Sequence, residues 1–141
     1  MIKGLKRTKR VNQLYHLSIE NHNGKTFRPR IPDSCMGKED TRHRRICFST
    51  TMSGAFRGAE GGSGDEVMYI HVPVDLDKIK ESGELYIPSE DLVPDVWYTK
   101  EHWCRIPVKL KCIGKARFIY DEFKYFPDKS PVIIKWLERY E

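Results

Sequence analysis

The sequence predicts a single α+β domain made mainly of short strands, with a few short helices. Strand-like runs of β-branched and aromatic residues outnumber amphipathic helical ones, turn residues punctuate the chain at short intervals, and no repeat or low-complexity linker divides it. At 141 residues and 39% hydrophobic side chains, residues 1–141 have the size of one domain. Folding would bury roughly two-thirds of the surface that the unfolded chain exposes. Three Trp, seven Tyr and six Phe exceed what a disordered chain carries.

In chain order, residues 11–18 mix β-branched and aromatic side chains with polar ones and stop at Asn21-His22-Asn23-Gly24, a strand and then a tight turn. Residues 25–44 are polar. In Arg28-Pro29-Arg30-Ile31-Pro32 each residue before a proline avoids the helical region, so an extended loop is expected. Residues 45–49 read as an apolar strand, and residues 50–59 as a helix with Ser49 or Thr50 as N-cap. A Gly-rich turn over 60–65 leads to a central strand over 66–74 and one helical turn over 75–82. Residues 84–88 give a short strand, 89–95 a proline-bracketed turn, and 103–112 with 117–120 further strand pattern. Val132, Ile133, Trp136, Leu137 and Tyr140 fall at helical spacing, so residues 131–141 are expected to form a terminal helix packed on the sheet.

Charge is uneven. Residues 1–45 hold twelve Lys/Arg against four Asp/Glu, a net +8, and the remainder carries −3. The N-terminal third therefore suits an anionic partner, while residues 1–10, with Lys3, Lys6, Arg7, Lys9 and Arg10, read as a basic flexible segment. No apolar run approaches the ~20 residues that span a bilayer, and the basic start lacks the apolar stretch of a secretory signal. A cytoplasmic protein with no membrane partner is expected. Cys35, Cys47, Cys104 and Cys112 show no CxxC spacing and read as reduced thiols. His22, His43, His71 and His102 lack metal-ligand spacing, and Asp75, Asp77 and Glu81 read as a solvated face, so no metal is expected.

P-loop, GxGxxG, HExxH and GxSxG motifs are absent. The chain carries instead a succession of strand-edge signals: Leu14-Tyr15-His16-Leu17-Ser18, then Arg45-Ile46-Cys47-Phe48-Ser49-Thr50 running into a helix, then Met68-Tyr69-Ile70-His71-Val72, then Thr99-Lys100-Glu101-His102-Trp103. Over roughly residues 14–118 this order resembles the ADP-ribosyltransferase superfamily, in its small type similar to rifampicin ADP-ribosyltransferases. The resemblance implies a compact split antiparallel β-sheet. It also implies NAD as substrate and a transferase of the glycosyltransferase class, which passes ADP-ribose to a protein, nucleic-acid or small-molecule acceptor.

The resemblance also implies roles. His16, on the first strand, would hydrogen-bond the nicotinamide ribose, and an acidic residue would orient the ribose and face the positive charge that develops as nicotinamide leaves. Glu101 is the preferred acid, with Glu84, Glu90 and Asp91 as rivals. Cys47 stands where the family carries a tyrosine that stacks on nicotinamide, and Phe48, Tyr69 or Trp103 are the other aromatic faces on offer. Ser49 matches the family's Ser/Thr at the strand end, or caps the helix. Arg30 and Arg45 would hold the pyrophosphate as bidentate forks, or pair with Glu39 or Asp40.

Two other readings use the same residues. One is a non-catalytic nucleotide- or protein-binding module, which the cysteine at position 47 favours. The other is a basic nucleic-acid-binding protein in which the Lys/Arg-rich N-terminus holds phosphates and Tyr15, Phe27 and Phe48 stack on bases.

Overall fold

Period-two burial builds most of the structure. The computed structural model describes residues 3–32, 42–59, 65–94, 96–120 and 131–140. In chain order its elements are β1 (Leu5–Arg7), β2 (His16–Ser18), β3 (Thr26–Phe27), β4 (Ile46–Ser49), α1 (Met52–Ala59), β5 (Asp65–Pro73), α2 (Leu76–Ser82), β6 (Leu85–Pro88), the one-turn α3 (Val96–Thr99), β7 (Glu101–Cys104), β8 (Val108–Tyr120) and β9 (Val132–Arg139). Residues 60–64 of the turn expected over 60–65, Cys35, and the pair Glu39 and Asp40 lie outside the described residues, and Asp65 already belongs to β5.

The strands form two antiparallel sheets, one in the order β1-β6-β7-β4 and the other β2-β5-β8-β3, with β9 also paired to β8. In β8 the alternation is plain: Val108, Leu110 and Cys112 are buried while Lys109 and Lys111 are exposed. Two isolated bridges, Tyr15 with Ser49 and Arg30 with Arg45, join the sheets. The edge strands β2 and β4 therefore lie side by side. This is an α+β fold of mostly antiparallel sheet with short helices, and no helix among the described residues is long and apolar enough to cross a membrane.

The helices follow local chemistry. Asp75 caps α2 by accepting from the Lys78 N–H at 3.1 Å, and Gly83 closes it in the left-handed conformation at φ 71°. At α1 the cap is Thr51, one residue beyond the expected positions, whose Oγ1 accepts from the Gly54 N–H at 2.9 Å. Ser49 Oγ accepts the Thr51 N–H at 3.2 Å just before it. The buried Phe56 of α1 stacks on Phe118 of β8 with centroids 5.1 Å apart, so this helix closes over the β5–β8 sheet.

Four expectations need correction. The strand expected over 11–18 is confined to β2 (His16–Ser18), and the one expected over 103–112 is divided between β7 and β8. Residues 131–140 do not form the expected helix: Val132, Ile134 and Trp136 face inward as β9 pairs with β8, while Ile133, Lys135 and Leu137 face out. Three consecutive β-branched residues favour the extended chain, and an unfilled edge of β8 supplies its partner. Gly114 permits the close approach, since a Cβ there would lie 2.4 Å from the Glu138 carbonyl oxygen. The N-terminal segment is not wholly flexible, because Leu5–Arg7 adds to the edge of β6 and Leu5 is buried beside Tyr86 and Trp103.

Candidate functional site

A cleft of about 230 Å³ opens where the two sheets meet. Three parts of the chain line it: residues Tyr15 to Leu17 of the β2 side, Phe27, Arg28, Arg30 and Pro32 of the extended loop, and Arg45 to Ser49 of β4. Gly54, Ala55, Gly58 and Ala59 of α1, with Thr99 and Glu101, complete the wall. The pairing explains the convergence. Ser49 bridges Tyr15 on one side and pairs in register with Glu101 on the other, so β4 is the strand that brings His16 and Glu101 to one opening.

His16 is half-buried, and its Nδ1 lies 3.3 Å from the Cys47 carbonyl oxygen. A carbonyl only accepts, so Nδ1 carries the proton and Nε2 is the basic nitrogen of the neutral ring. Burial holds this imidazole below its ordinary pKa, against the opposing pull of that carbonyl. Phe27 meets the ring edge-on at 5.2 Å. Behind it, His71 is fully buried, donates from Nδ1 to the His16 carbonyl at 3.2 Å, and is pushed by burial down to about 4.

Glu101 is half-buried and receives the Trp103 indole N–H at 2.7 Å on Oε2. It is the only carboxylate lining the cleft among the described residues. Glu84 accepts from the Tyr86 hydroxyl at 3.3 Å, and Glu90 and Asp91 are exposed in the turn after β6; none of the three lines the cleft. The residue preceding Glu101 is Lys100, held at φ 54° in the left-handed region. Ser49 ties this corner down by donating to the Thr99 carbonyl at 2.6 Å.

The expected binding residues divide. Arg30 and Cys47 line the cleft, Arg30 exposed and Cys47 half-buried. Ser49 lines it with its hydroxyl engaged by Thr99 and Thr51. Arg45 lines it but is only 1% exposed: its guanidinium lies 4.1 Å above the Trp103 ring and donates to the His43 carbonyl at 3.0 Å. Tyr69 is not in the cleft. Its neighbours Met68 and Ile70 point into the cluster with Leu17 and Phe56, so period two turns Tyr69 to the other face, where Lys115 Nζ stands 5.5 Å from its ring. Phe48 lines the wall at 2% exposure and Trp103 is fully buried, which makes both core residues.

Tyr15 and Phe27 are the half-buried aromatic side chains of the cleft, and Arg28 is its second exposed arginine. The i, i+2 spacing of Arg28 and Arg30 in an extended segment carried that signal. So did the small residues at 54, 55, 58 and 59, which share one face of a helix. Among the described residues no three His, Cys, Asp or Glu side chains converge as a metal site. Comparison with protein-family models, with curated proteins and with solved structures found no match to this chain.

Proposed function

We propose that the chain binds NAD in this cleft and transfers ADP-ribose from it to an acceptor. The observation that carries this reading is that His16 and Glu101 line one opening beside Cys47, with Arg30 at the same mouth. In the reaction the bond between the ribose C1′ and the nicotinamide nitrogen breaks, and its electron pair leaves with neutral nicotinamide. The ribose carries the positive charge that results, and a nucleophile on the acceptor forms the new bond at C1′ and gives up its proton to solvent. Glu101 faces that charge and holds the ribose, and a carboxylate in a partly dehydrated cleft does this better than in water. His16 offers Nε2 to a ribose hydroxyl. Arg30 and Arg28 face the pyrophosphate, and the buried Arg45 adds fixed positive charge to the wall.

The fit to the family resemblance is incomplete at Cys47, and this supports a second reading: a module that binds a nucleotide in the same cleft without turning it over. Incubation with NAD and candidate acceptors separates the two. Transfer predicts nicotinamide in the supernatant and none from His16→Ala or Glu101→Gln, whereas full release by both variants would sink the assignment. Binding alone predicts calorimetric heat with NAD or ADP-ribose and no nicotinamide. Direct nucleic-acid binding is the weaker alternative, since Phe48 is buried and cannot stack on a base. On the transfer reading the chain works in the cytoplasm, in keeping with Cys47, Cys104 and Cys112 as thiols.

A further inference from the structure

Trp103 has no solvent exposure, and both its edge and its face are engaged. Its Nε1–H donates to Glu101 Oε2 at 2.7 Å, and the guanidinium carbon of Arg45 stands 4.1 Å from its ring centroid. The pleat of β7 puts Glu101 and Trp103, two residues apart, on one side of the strand, where Ser49 and Cys47 lie opposite them in register. A Phe would fill much the same core volume. A buried indole must also find an acceptor, and this one finds the cleft's carboxylate rather than a backbone carbonyl.

That bond does more than satisfy the indole. A charge-assisted N–H···O bond from a ring that packing holds rigid fixes the direction of the carboxylate. A cation over the ring face draws on its electron density and makes the N–H a stronger donor. Arg45 is itself anchored, by Nη1 to the His43 carbonyl at 3.0 Å and by the backbone bridge to Arg30. Resting on the NAD reading of the cleft, we infer that Trp103 is a positioning residue that aims the Glu101 carboxylate at the bound ribose, with Arg45 on its face as the support.

The test has two arms on the full chain. In the first, nicotinamide release is followed at varied NAD for wild type, Trp103→Phe and Arg45→Lys, with the melting temperature of each. Positioning predicts that kcat falls about tenfold to a hundredfold in Trp103→Phe, the range for losing a hydrogen bond to a charged group, while KM for NAD changes little. Arg45→Lys, which keeps the charge and loses the planar stack, falls between. A merely structural Trp103 would lower the melting temperature and leave kcat per folded molecule intact, and that result overturns the proposal while leaving the NAD reading standing.

In the second arm the Trp103 indole N–H resonance, assigned by its persistence in Trp97→Phe and Trp136→Phe, is followed against pH in wild type and Glu101→Gln. Its movement with pH in wild type and its loss of movement in Glu101→Gln support the proposal, even if Trp103→Phe does not fold. Identical behaviour in the two overturns it. If wild type releases no nicotinamide, the NAD reading falls, and the indole resonance alone decides whether Trp103 sets the carboxylate.

Discussion

The backbone N–H of His22 donates to Nε2 of His71 at 2.9 Å, and this fixes His71 as a neutral ring, because its Nδ1–H is already given to the His16 carbonyl. A second proton has no place to go without breaking the bond to His22. The imidazole thus links the strand that carries His16 to the turn that follows it.

The pH dependence of stability follows. The folded-state pKa of His71 is about 4 against an ordinary 6.5, lowered first by burial, so the unfolded chain takes up a proton that the fold excludes. This contribution is fully present above the ordinary value and is lost as pH falls from there toward about 4; it amounts to something on the order of 3 kcal/mol. Burial lowers His16, His22 and His102 as well, in the same direction. Urea midpoints are expected to be level above neutral pH and to fall steadily through the acid window. His71→Gln keeps a donor and an acceptor without a titrating proton, and should flatten the slope.

Gly54 gives a prediction of opposite sign to helix propensity. Alanine is worth about 1 kcal/mol more than glycine inside a helix. Here a Cβ would lie 2.3 Å from the Thr99 carbonyl oxygen and 2.5 Å from Ser49 Oγ. Gly54→Ala is therefore expected to destabilise by roughly 1–3 kcal/mol or more, as overpacking does, and calorimetric melting reads it directly. A more stable variant would mean that α1 does not sit against the corner before Glu101.

Lys100 tests the strain beside the acid. Its φ of 54° costs a side-chain-bearing residue about 1–2 kcal/mol, and the side chain is exposed, so little packing is at stake. Lys100→Gly should be neutral or stabilising by up to about 1 kcal/mol. Lys100→Val, β-branched at a left-handed position, should destabilise by more than that. Denaturant titration of the pair checks both.

Arg30 and Arg45 are bridged neighbours with opposite exposure, and their variants should separate. Arg30→Ala is expected to leave stability near wild type and to weaken NAD binding about tenfold or more in calorimetry, the cost of a lost charge-assisted bond. Arg45→Ala removes a buried cation from the Trp103 face and should cost about 2 kcal/mol of stability or more. Equal loss of stability in both would contradict the division.

Much of the local structure was legible because its causes are local. Asp75 and Gly83 bracket α2 with a cap and a left-handed stop. The run 46–49 alternates into a helix whose small and large residues segregate by face, and the strand pattern within 108–112 and 117–120 was legible, although the expected run over 103–112 joined the end of β7 to the start of β8. His16 and Glu101 were picked by a strand-edge order, a signal that also picked Tyr69. The order says which strand a residue is on and not which face it takes.

What the chain alone determined, then, is where it can be extended, where it can coil and where its positive charge is concentrated, because backbone sterics and side-chain periodicity act over a few residues. The tertiary structure decided the rest. The segment 132–139 has a helical spacing and a β-branched start, and the open edge of β8 resolved the conflict in favour of a strand. His16 met Glu101 through Ser49, which bridges Tyr15 beside His16 and pairs in register with Glu101. Pairing across sheets depends on residues distant in sequence, and no local pattern encodes it.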